Sequence, residues 1–401
     1  MRRFRFAAVL AVAALGVWAT PASAATANVL DGLGTGGGRI QARIARDTAS
    51  IVRGGIPWVF YGANPEYGYR LRLAKLGLTN TYQTLDGVGG TNGRTAHSVG
   101  KDVSATVQGT TVHVFYRDAT EHTLRHAWLS GGSWHFETLD GNSTAGGRTT
   151  HDVGLQSFAL VYRNQLNVFY ADATAGDLRR AVFDGSTWRF SIIDGNSSLG
   201  GRTNAAVGSA IEAGIWGSQL HVLYTVQPSG LREAKIAYGT TWTYSTLSSF
   251  GCNQLALLRV SDTEVHVVYG LEDAGYGRDM GADSALWNGT SWSVDNELDG
   301  WVVGGLLIFL DGTTPAVIAG YMECYGSGGC GDGLVVTHWD GTSFGYLSPD
   351  NYLEACCAAP PADPSSWVTI EGVPQVFVGG AGYPTEPDIY DQVLLRVVGP
   401  F

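Results

Sequence analysis

Arginine recurs at one position of a repeated Gly-Arg pattern, and two of these arginines are followed three residues later by a histidine. The arginines are Arg39, Arg94, Arg148 and Arg202, and the histidines are His97 and His151. A guanidinium binds a carboxylate through two parallel hydrogen bonds, and an imidazole transfers protons near neutral pH. One hypothesis is therefore an acid–base site for an anionic substrate.

In that hypothesis Arg94 and Arg148, which precede the histidines, neutralise a substrate carboxylate while the histidines act as acid or base. Arg39 and Arg202 would then serve only in ligand binding. The structural alternative is that each arginine pairs with a nearby aspartate and joins neighbouring repeats. The aspartates within reach along the chain are Asp86, Asp140 and Asp194.

Acidic and aromatic residues gather in three later segments, 270–284, 321–333 and 379–392. Carboxylates and tyrosines suit sugar hydroxyls, and carboxylates also suit Ca²⁺. The candidates for ligand binding are Tyr276, Asp279, Tyr325 and Tyr390, with Trp301 as a platform for stacking a sugar ring. A solvated acidic rim is the structural alternative. No twelve-residue Ca²⁺ loop is present, so Ca²⁺ is a weak alternative and no cofactor is predicted.

All five cysteines lie in the second half of the chain. Cys324 and Cys330 bracket five residues, and this spacing predicts a local disulfide. The pairing of Cys252, Cys356 and Cys357 stays open. No Cys-x-x-Cys pair occurs, which argues against a cysteine metal site.

The elements that must position these residues follow from an internal repeat of about 54 residues. Leu85-Asp86-Gly87 recurs as Leu139-Asp140-Gly141 and as Ile193-Asp194-Gly195. Trp134, Trp188 and Trp242 are also 54 residues apart. One unit contains four runs typical of β-strands, joined by turns such as Asp184-Gly185.

Four antiparallel strands per unit, repeated about seven times, predict an all-β fold, a single seven-bladed β-propeller. The last unit lacks a fourth strand, and Ala27–Leu30 aligns with the end of one, so Ala25–Leu30 is the candidate for the missing strand. We therefore expect the N-terminal strand to close the last blade, which leaves no open sheet edge. The predicted domain covers residues 25–401.

The segments Phe169-Tyr170-Ala171-Asp172 and Asp184-Gly185-Ser186-Thr187-Trp188 carry a family resemblance. They resemble a repeat of secreted bacterial β-propeller proteins, similar to those of the sialidase-like and propeller-lectin superfamily. The resemblance implies a propeller fold and, more weakly, a role in glycan recognition.

Strand direction assigns the connections to two faces of the predicted propeller. Labelling the strands of a blade a to d from the axis outward, the b–c loops and d–a links share one face, and the a–b and c–d turns share the other. The b–c loops of blades 5 to 7 are the most irregular connections, and variable loops on a rigid scaffold usually carry function. We therefore place the site at the channel mouth on the blade 5–7 side.

Charge and the N-terminal segment limit the partners. The formal net charge is −11, with no basic cluster beyond the first residues, so nucleic acid is an unfavourable partner. Residues 1–24 combine three arginines, a short apolar run and Ala22-Ser23-Ala24, which predicts a cleaved signal peptide and secretion. No further long apolar run occurs, so no membrane insertion is expected, and we expect a monomer.

Two functional classes remain. The first is a secreted recognition module that binds a glycan or another extracellular polymer through the b–c and d–a loop face. The alternative is a glycan-active enzyme, a polysaccharide lyase or glycoside hydrolase, built on the arginines and histidines. An enzyme needs an arginine and a proton carrier around one reacting atom, whereas a binding module needs only repeated shallow pockets between blades.

Overall fold

A computed structural model describes most of the chain beyond the predicted signal peptide. The described residues are 25–34, 36–65, 68–195, 197–227, 230–239, 241–249, 252–272, 279–295, 298, 302–324, 330–345, 363–386, 389–399 and 401. They form seven antiparallel sheets, and the first strand of each sheet packs against the first strands of its two neighbours. This closed ring is the predicted seven-bladed propeller.

The strands follow one another in chain order from the inner to the outer edge of each blade. Blades 1 to 3 consist of β2 (Arg43–Arg53), β3 (Ile56–Asn64), β4 (Arg70–Lys75) and β5 (Thr81–Asp86); β6 (Val99–Gln108), β7 (Thr111–Asp118), β8 (Thr123–Ser130) and β9 (Ser133–Asp140); and β10 (Val153–Tyr162), β11 (Gln165–Asp172), β12 (Asp177–Phe183) and β13 (Trp188–Asp194). Blades 4 and 5 consist of β14 (Val207–Trp216), β15 (Gln219–Val226), β16 (Leu231–Ile236) and β17 (Thr243–Ser248); and β18 (Cys252–Arg259), β19 (Val265–Glu272), β20 (Asp279–Trp287) and β21 (Trp292–Asp295).

The last two blades are less regular. They consist of β22 (Val302–Asp311), β23 (Thr314–Cys324) and β24 (Cys330–His338); and β25 (Asp363–Ile370), β26 (Val373–Glu386), β27 (Ile389–Val398) and β1 (Thr26–Asp31). The described part of blade 6 has three strands rather than the predicted four, and an isolated bridge between Trp339 and Phe344 stands near the place of the fourth. Three short 3-10 helices, Gly36–Gly38, Ala145–Gly147 and Leu199–Gly201, lie in links between blades.

The ring closes through the N-terminal strand, as predicted. β1 pairs antiparallel with β27, so that Thr26 lies opposite Val398 and Val29 opposite Leu395. The outer strand of blade 7 is therefore the first strand of the described chain. This arrangement ties the two ends of the chain together and pairs the last sheet edge.

The hydrophobic core lies between blades because each sheet is buried on both faces. The second strands have nearly continuous β-branched and aromatic runs, and Phe60, Phe115 and Phe169 are fully buried on them. A tight contact within the blade explains the Asp-Gly of the repeat. Gly141 has φ +104°, and a Cβ there would lie 2.8 Å from the Thr123 side chain, so glycine is required.

In the described residues, the b–c connections of blades 5 to 7 continue the pairing of the strands that they join. β19 and β20 continue their pairing to Glu272 and Asp279, and β26 and β27 continue to Glu386 and Ile389. In blade 6 the ladder ends with Cys324 directly opposite Cys330. That pairing brings the two backbones to the separation a disulfide needs, and the bond itself stays a prediction.

Other expectations concern residues beyond the described ranges. The signal peptide and the two vicinal cysteines, Cys356 and Cys357, lie there. Cys252 is described: it is buried, and its thiol donates to the Gly230 carbonyl at 3.6 Å. Among the described residues, no helix is long and apolar enough to cross a membrane.

Candidate functional site

The Leu-Asp-Gly repeat forms a buried hydrogen-bonded junction between successive blades. Asp140 ends β9 in blade 2, and its Oδ1 accepts the backbone N–H groups of Gly141 and Thr149 at 2.9 and 2.8 Å. Its Oδ2 accepts the Tyr170 hydroxyl at 2.7 Å and the Arg179 Nε–H at 3.2 Å, both from blade 3. A buried carboxylate with four donors, one of them an arginine, is fully satisfied, so this junction stabilises the ring.

The same junction recurs at three other blade boundaries. The sets are Asp31–Tyr61–Arg72, Asp86–Tyr116–Arg125 and Asp194–Tyr224–Arg232. Burial, followed by the aspartate charge, raises the pKa of Tyr61, Tyr116 and Tyr170 well above the usual value, which keeps these hydroxyls protonated as donors. In blade 5, Ser248 and Asp283 occupy the aspartate and arginine positions beside Tyr269, so the charged junction ends there.

The arginines predicted to pair with these aspartates do something else. The carboxylates are taken by Arg72, Arg125, Arg179 and Arg232 on the third strands. The guanidinium carbons of Arg39, Arg94 and Arg148 lie 5.8, 5.4 and 4.6 Å from the ring centres of Tyr82, Phe136 and Phe190. Arg202 donates to the Ile192 carbonyl at 3.5 Å beside Tyr244. Because the aromatic partners lie on outer strands, these arginines stand at the outer end of each link, not at the channel mouth.

The two candidate histidines are bound to carboxylates that end second strands. His97 Nδ1 lies 2.8 Å from Asp118 Oδ2, and His151 Nδ1 lies 2.9 Å from Asp172 Oδ2. Both imidazoles are about half exposed. Among the described contacts, none joins either histidine to Arg94 or Arg148, so the structure does not assemble the predicted acid–base set.

The blade 5–7 candidates are only partly described. Tyr276, Tyr325 and Trp301 lie outside the described residues. Asp279 begins β20 opposite Glu272, and Tyr390 lies in β27 opposite Pro384, with their side chains outside the description. Their role in ligand binding stays a prediction.

The central channel holds a cavity of about 340 Å³ lined by the first strands of all seven blades. Three carboxyl groups face it, from Asp47, Asp102 and Glu212. The Asp102 backbone N–H donates to Asp47 Oδ2 at 3.4 Å, and Asp102 Oδ1 accepts the Gln156 backbone N–H at 3.1 Å. Asp102 and Gln156 have φ of 51° and 50°, at bulges that interrupt their pairing with the second strands.

Burial dominates the protonation of these channel acids. It raises the pKa of Glu212 to about 8. Burial, followed by the Asp47 charge, raises the pKa of Asp102 to about 7. Both groups therefore titrate near neutrality, where a carboxyl group is able to act as an acid.

The boundary between blades 1 and 2 opens as a cavity of about 430 Å³ on the face of the a–b and c–d turns; we call it the 1/2 cleft. Its lining includes Arg53, Trp58, Lys75, Gln83, Thr110 and Trp134. Lys75 Nζ lies 4.2 Å and the Arg53 guanidinium carbon 4.9 Å from the Trp58 ring centre. The buried Trp58 indole N–H has no hydrogen-bond partner among the described residues.

A similar cavity of about 350 Å³ lies between blades 3 and 4 on the same face; we call it the 3/4 cleft. Its lining includes Tyr162, Arg163, Arg180, Asp184, Arg189 and Phe190. Arg180 donates to Asn167 Oδ1 at 2.9 and 2.6 Å, and burial lowers its pKa to about 10. Asp184 pairs with Arg189 at 3.0 Å. Both clefts thus combine aromatic rings with arginine or lysine.

The next boundary after each cleft is filled by a polar network. Between blades 2 and 3, His126 Nδ1 lies 2.8 Å from Glu137 Oε1, and the Trp188 indole donates to the same oxygen at 3.2 Å. Between blades 4 and 5, Glu233 Oε1 lies 2.7 Å from His221 Nδ1 and accepts the Trp292 indole N–H at 3.3 Å. We call these the 2/3 and 4/5 contacts.

Sequence reasoning missed the cleft residues because it followed the positions that repeat. The position three residues before the repeated tyrosine carries Trp58, His113, Asn167 and His221 in blades 1 to 4. This change of residue at a fixed repeat position was the signal available. Positions that repeat form contacts common to the blades, whereas positions that vary form contacts specific to one boundary.

A metal site finds no support in the described part of the chain, which contains no group of three or more His, Cys, Asp or Glu side chains placed to hold an ion. The weak Ca²⁺ alternative rested on the blade 5–7 segments, whose side chains are mostly outside the description.

Comparison with known proteins gives structural likeness only. No protein-family model and no curated protein matches the chain. AofleA from Arthrobotrys oligospora is 12% identical over 78% of this chain and 90% of that chain, with a TM-score of 0.47. The fucose-specific lectin from Aleuria aurantia is 15% identical over 77% and 96%, with a TM-score of 0.42.

A glycosidase also resembles the chain. The GH93 alpha-L-arabinofuranosidase of Fusarium graminearum is 10% identical over 77% of this chain and 95% of that chain, with a TM-score of 0.41. Identities and TM-scores this low carry no argument about function, which must come from the residues of this chain.

Proposed function

We propose that this protein is a secreted recognition module that binds an extracellular glycan in the clefts between blades. The observation that carries the proposal is the pair of clefts on one face, at alternate boundaries of the same ring. Their volumes fall in the range of small-ligand sites, and no reacting group is needed in either. Secretion is the part of the proposal that follows from the signal-peptide pattern at residues 1–24.

The lining of each cleft suits a sugar. Aromatic rings offer a flat apolar surface, and hydroxyl, amide and guanidinium groups offer hydrogen bonds in several directions. In the 1/2 cleft the rings are Trp58 and Trp134, and the polar groups include Gln83 and Thr110. The sequence placed the site instead on the b–c and d–a loop face of blades 5 to 7. That placement stays a prediction, and a direct test follows in the Discussion.

The proposal is tested by blocking one cleft with an exposed residue. Thr110 is exposed at the mouth of the 1/2 cleft, and Thr110→Trp should obstruct it. Thr263 stands at the same repeat position beside the filled 4/5 contact and is also exposed, so Thr263→Trp is the matched control. The mature protein is screened on a glycan array and a panel of anionic polysaccharides, and hits are titrated by calorimetry.

We expect Thr110→Trp to weaken binding at least about tenfold, with Thr263→Trp unchanged, since a blocked pocket loses most of its contacts. If no glycan binds the wild-type protein, or if both variants bind like wild type, the cleft proposal is wrong.

A glycoside hydrolase centred on the channel is the second candidate. The observation that favours it is the presence of Asp102 and Glu212 in one cavity with pKa values of about 7 and about 8. Glycosidases use one carboxyl group as acid and another as base or nucleophile. Product analysis with the same polysaccharides decides it: turnover that disappears in Glu212→Gln and Asp102→Asn, with glycan binding retained, would favour the enzyme.

A further inference from the structure

The charge of the 1/2 cleft opposes the charge of the whole chain. The protein has 36 acidic and 25 basic residues besides histidine. The described lining of the 1/2 cleft nevertheless contains Arg53 and Lys75 and no aspartate or glutamate. Neither cation forms an ion pair with a carboxylate among the described residues. A local excess of positive charge therefore faces an open cavity.

The two cations also contact the same aromatic ring. Both stand over the Trp58 ring, at 4.2 Å for Lys75 Nζ and 4.9 Å for the Arg53 guanidinium carbon. Burial, followed by the Arg53 charge, lowers the pKa of Lys75. Like charges near one another are unfavourable until an anion neutralises them.

Donor groups remain available on Arg53. Its recorded hydrogen bond runs from Nη2 to the Thr110 carbonyl at a long 3.4 Å, and a guanidinium has five N–H donors. Arginine therefore offers paired donors to a planar anion, while Lys75 adds a mobile point charge. Ser130 and Gln83 supply neutral hydrogen-bonding groups beside them.

An equivalent lysine in another blade shows what an internally neutralised cation looks like here. Lys75 lies opposite Trp58 in the ladder of blade 1, and Lys235 lies opposite His221 at the same position of blade 4. Lys235 Nζ is 3.7 Å from Glu233 Oε2, so a carboxylate of the protein balances its charge. Leu73 occupies the position of Glu233 in blade 1 and offers no such partner.

We propose that the 1/2 cleft recognises an anionic sugar, with Arg53 and Lys75 binding a carboxylate or sulfate group while Trp58 and Trp134 contact the ring. This inference rests on the proposed function and names the class of glycan it concerns. Uronate and sulfate share the chemistry of several oxygen acceptors around one negative charge, which both side chains bind.

The test uses ligands that differ only in charge. A uronic-acid trimer and its fully methyl-esterified form are titrated into the mature protein by calorimetry, with a sulfated disaccharide and its unsulfated parent as a second pair. Lys75→Gln and Arg53→Gln remove the cations, and Lys235→Gln is the matched control. Each titration is repeated at low and high salt.

We expect the charged member of one ligand pair to bind at least about tenfold more tightly than its neutral partner, and this preference to weaken at high salt. Lys75→Gln and Arg53→Gln should each remove most of the preference, and Lys235→Gln should keep it. Which pair shows the effect identifies the anion as carboxylate or sulfate.

Two outcomes would overturn the inference, and they differ from failure of the proposed function. Equal binding of charged and neutral partners, or a preference that survives in both cleft variants, refutes the anionic assignment while leaving glycan binding intact. Another outcome is that no member of either pair binds, while a different glycan binds the wild-type protein and loses binding in Thr110→Trp. In that case the anionic assignment fails and the proposed function stands. If no glycan binds at all, the proposed function fails with it.

Discussion

Three side-chain differences and one hydrogen bond distinguish the 1/2 cleft from the 2/3 contact, which occupy equivalent backbone positions. In the 2/3 contact His113, His126 and Glu137 form a chain of hydrogen bonds, and the His113 and His126 rings stack 5.2 Å apart. The equivalent residues at the cleft are Trp58, Leu73 and Gln83. The fourth difference is in hydrogen bonding: the Trp188 indole donates to Glu137, whereas Trp134, 54 residues earlier, has no recorded partner among the described residues.

This difference shows that a few positions beside the repeated junction determine whether the boundary between two blades is open or filled. The Asp–Tyr–Arg junction holds both boundaries, so ring closure does not depend on filling either one. A boundary whose other positions are not needed to hold the two blades together is able to open as a pocket. The 3/4 cleft and the 4/5 contact show the same alternation one step further round the ring.

The largest expected effect is loss of stability when a filled contact loses its carboxylate. Glu233 is buried and accepts from His221, Ser245 and Trp292. Burial acts to raise the pKa of Glu233. The hydrogen bond from His221 and the Lys235 charge outweigh burial, so this pKa is lowered overall. Glu233→Ala should cost about 3–5 kcal/mol of unfolding free energy because it leaves these donors without their acceptor.

The matched change at the open boundary is Gln83→Ala, which should alter the free energy of unfolding by less than about 0.5 kcal/mol. Denaturant unfolding of both variants gives the comparison. Equal losses in the two variants would mean that open and filled boundaries do not differ energetically.

Acid should weaken the 2/3 contact selectively. Burial, followed by the His126 charge, lowers the pKa of His113 to about 3. Burial also lowers the pKa of His126, despite the hydrogen bond that its ring donates to Glu137. A histidine whose pKa is lower in the folded state than its unfolded value of about 6.5 gives up stability as pH falls from about 6.5 to about 3.

His113→Asn, which installs the residue found at this position in blade 3, should therefore make the melting temperature less sensitive to acid. Between pH 7 and pH 4, the variant should lose about 2–4 kcal/mol less unfolding free energy than the wild-type protein. Melting curves followed by circular dichroism across this range provide the measurement. Parallel pH profiles for wild type and variant would show that His113 does not control the acid response.

A smaller effect should separate the two tryptophans of the comparison. Trp188→Phe removes the indole donor to Glu137 and keeps most of the ring, so it should cost about 1–2 kcal/mol. Trp134→Phe loses no recorded hydrogen bond and should cost less than half as much. The difference between the two free energies of unfolding is the quantity to measure, and a larger loss at Trp134 would reverse the assignment of open and filled boundaries.

The smallest effect, on glycan binding, is expected from substitutions on the face of the b–c loops and d–a links. If the clefts bind the glycan, the double variant Tyr325→Ala/Tyr390→Ala should change its dissociation constant by less than about twofold. The sequence-based placement on the blade 5–7 side predicts the reverse, a clear loss of binding with little change in melting temperature. Titrating this variant beside Thr110→Trp decides between the two faces.

The fold and its closure were predictable because they depend on period and pattern. The 54-residue spacing of Asp140 and Asp194 requires identical units, and a missing fourth strand requires a partner from the other end of the chain. The partners of the aspartates were not predictable. Arg125 and Arg179 on third strands recur at the same 54-residue interval as Arg94 and Arg148 in the links, so spacing alone does not distinguish the two series.

By itself the sequence determined the seven-bladed ring, the closing strand and the aspartate as the fixed point of each junction, because these follow from local β-propensity and repetition. Only the tertiary structure decided which arginine reaches Asp140, which segments of blades 5 to 7 continue as hairpins, and which boundaries open. The physical reason is that these outcomes depend on contacts between residues of different blades. Trp58 and Trp134 are 76 positions apart in the chain, and only the packing of two sheets brings them to one cleft.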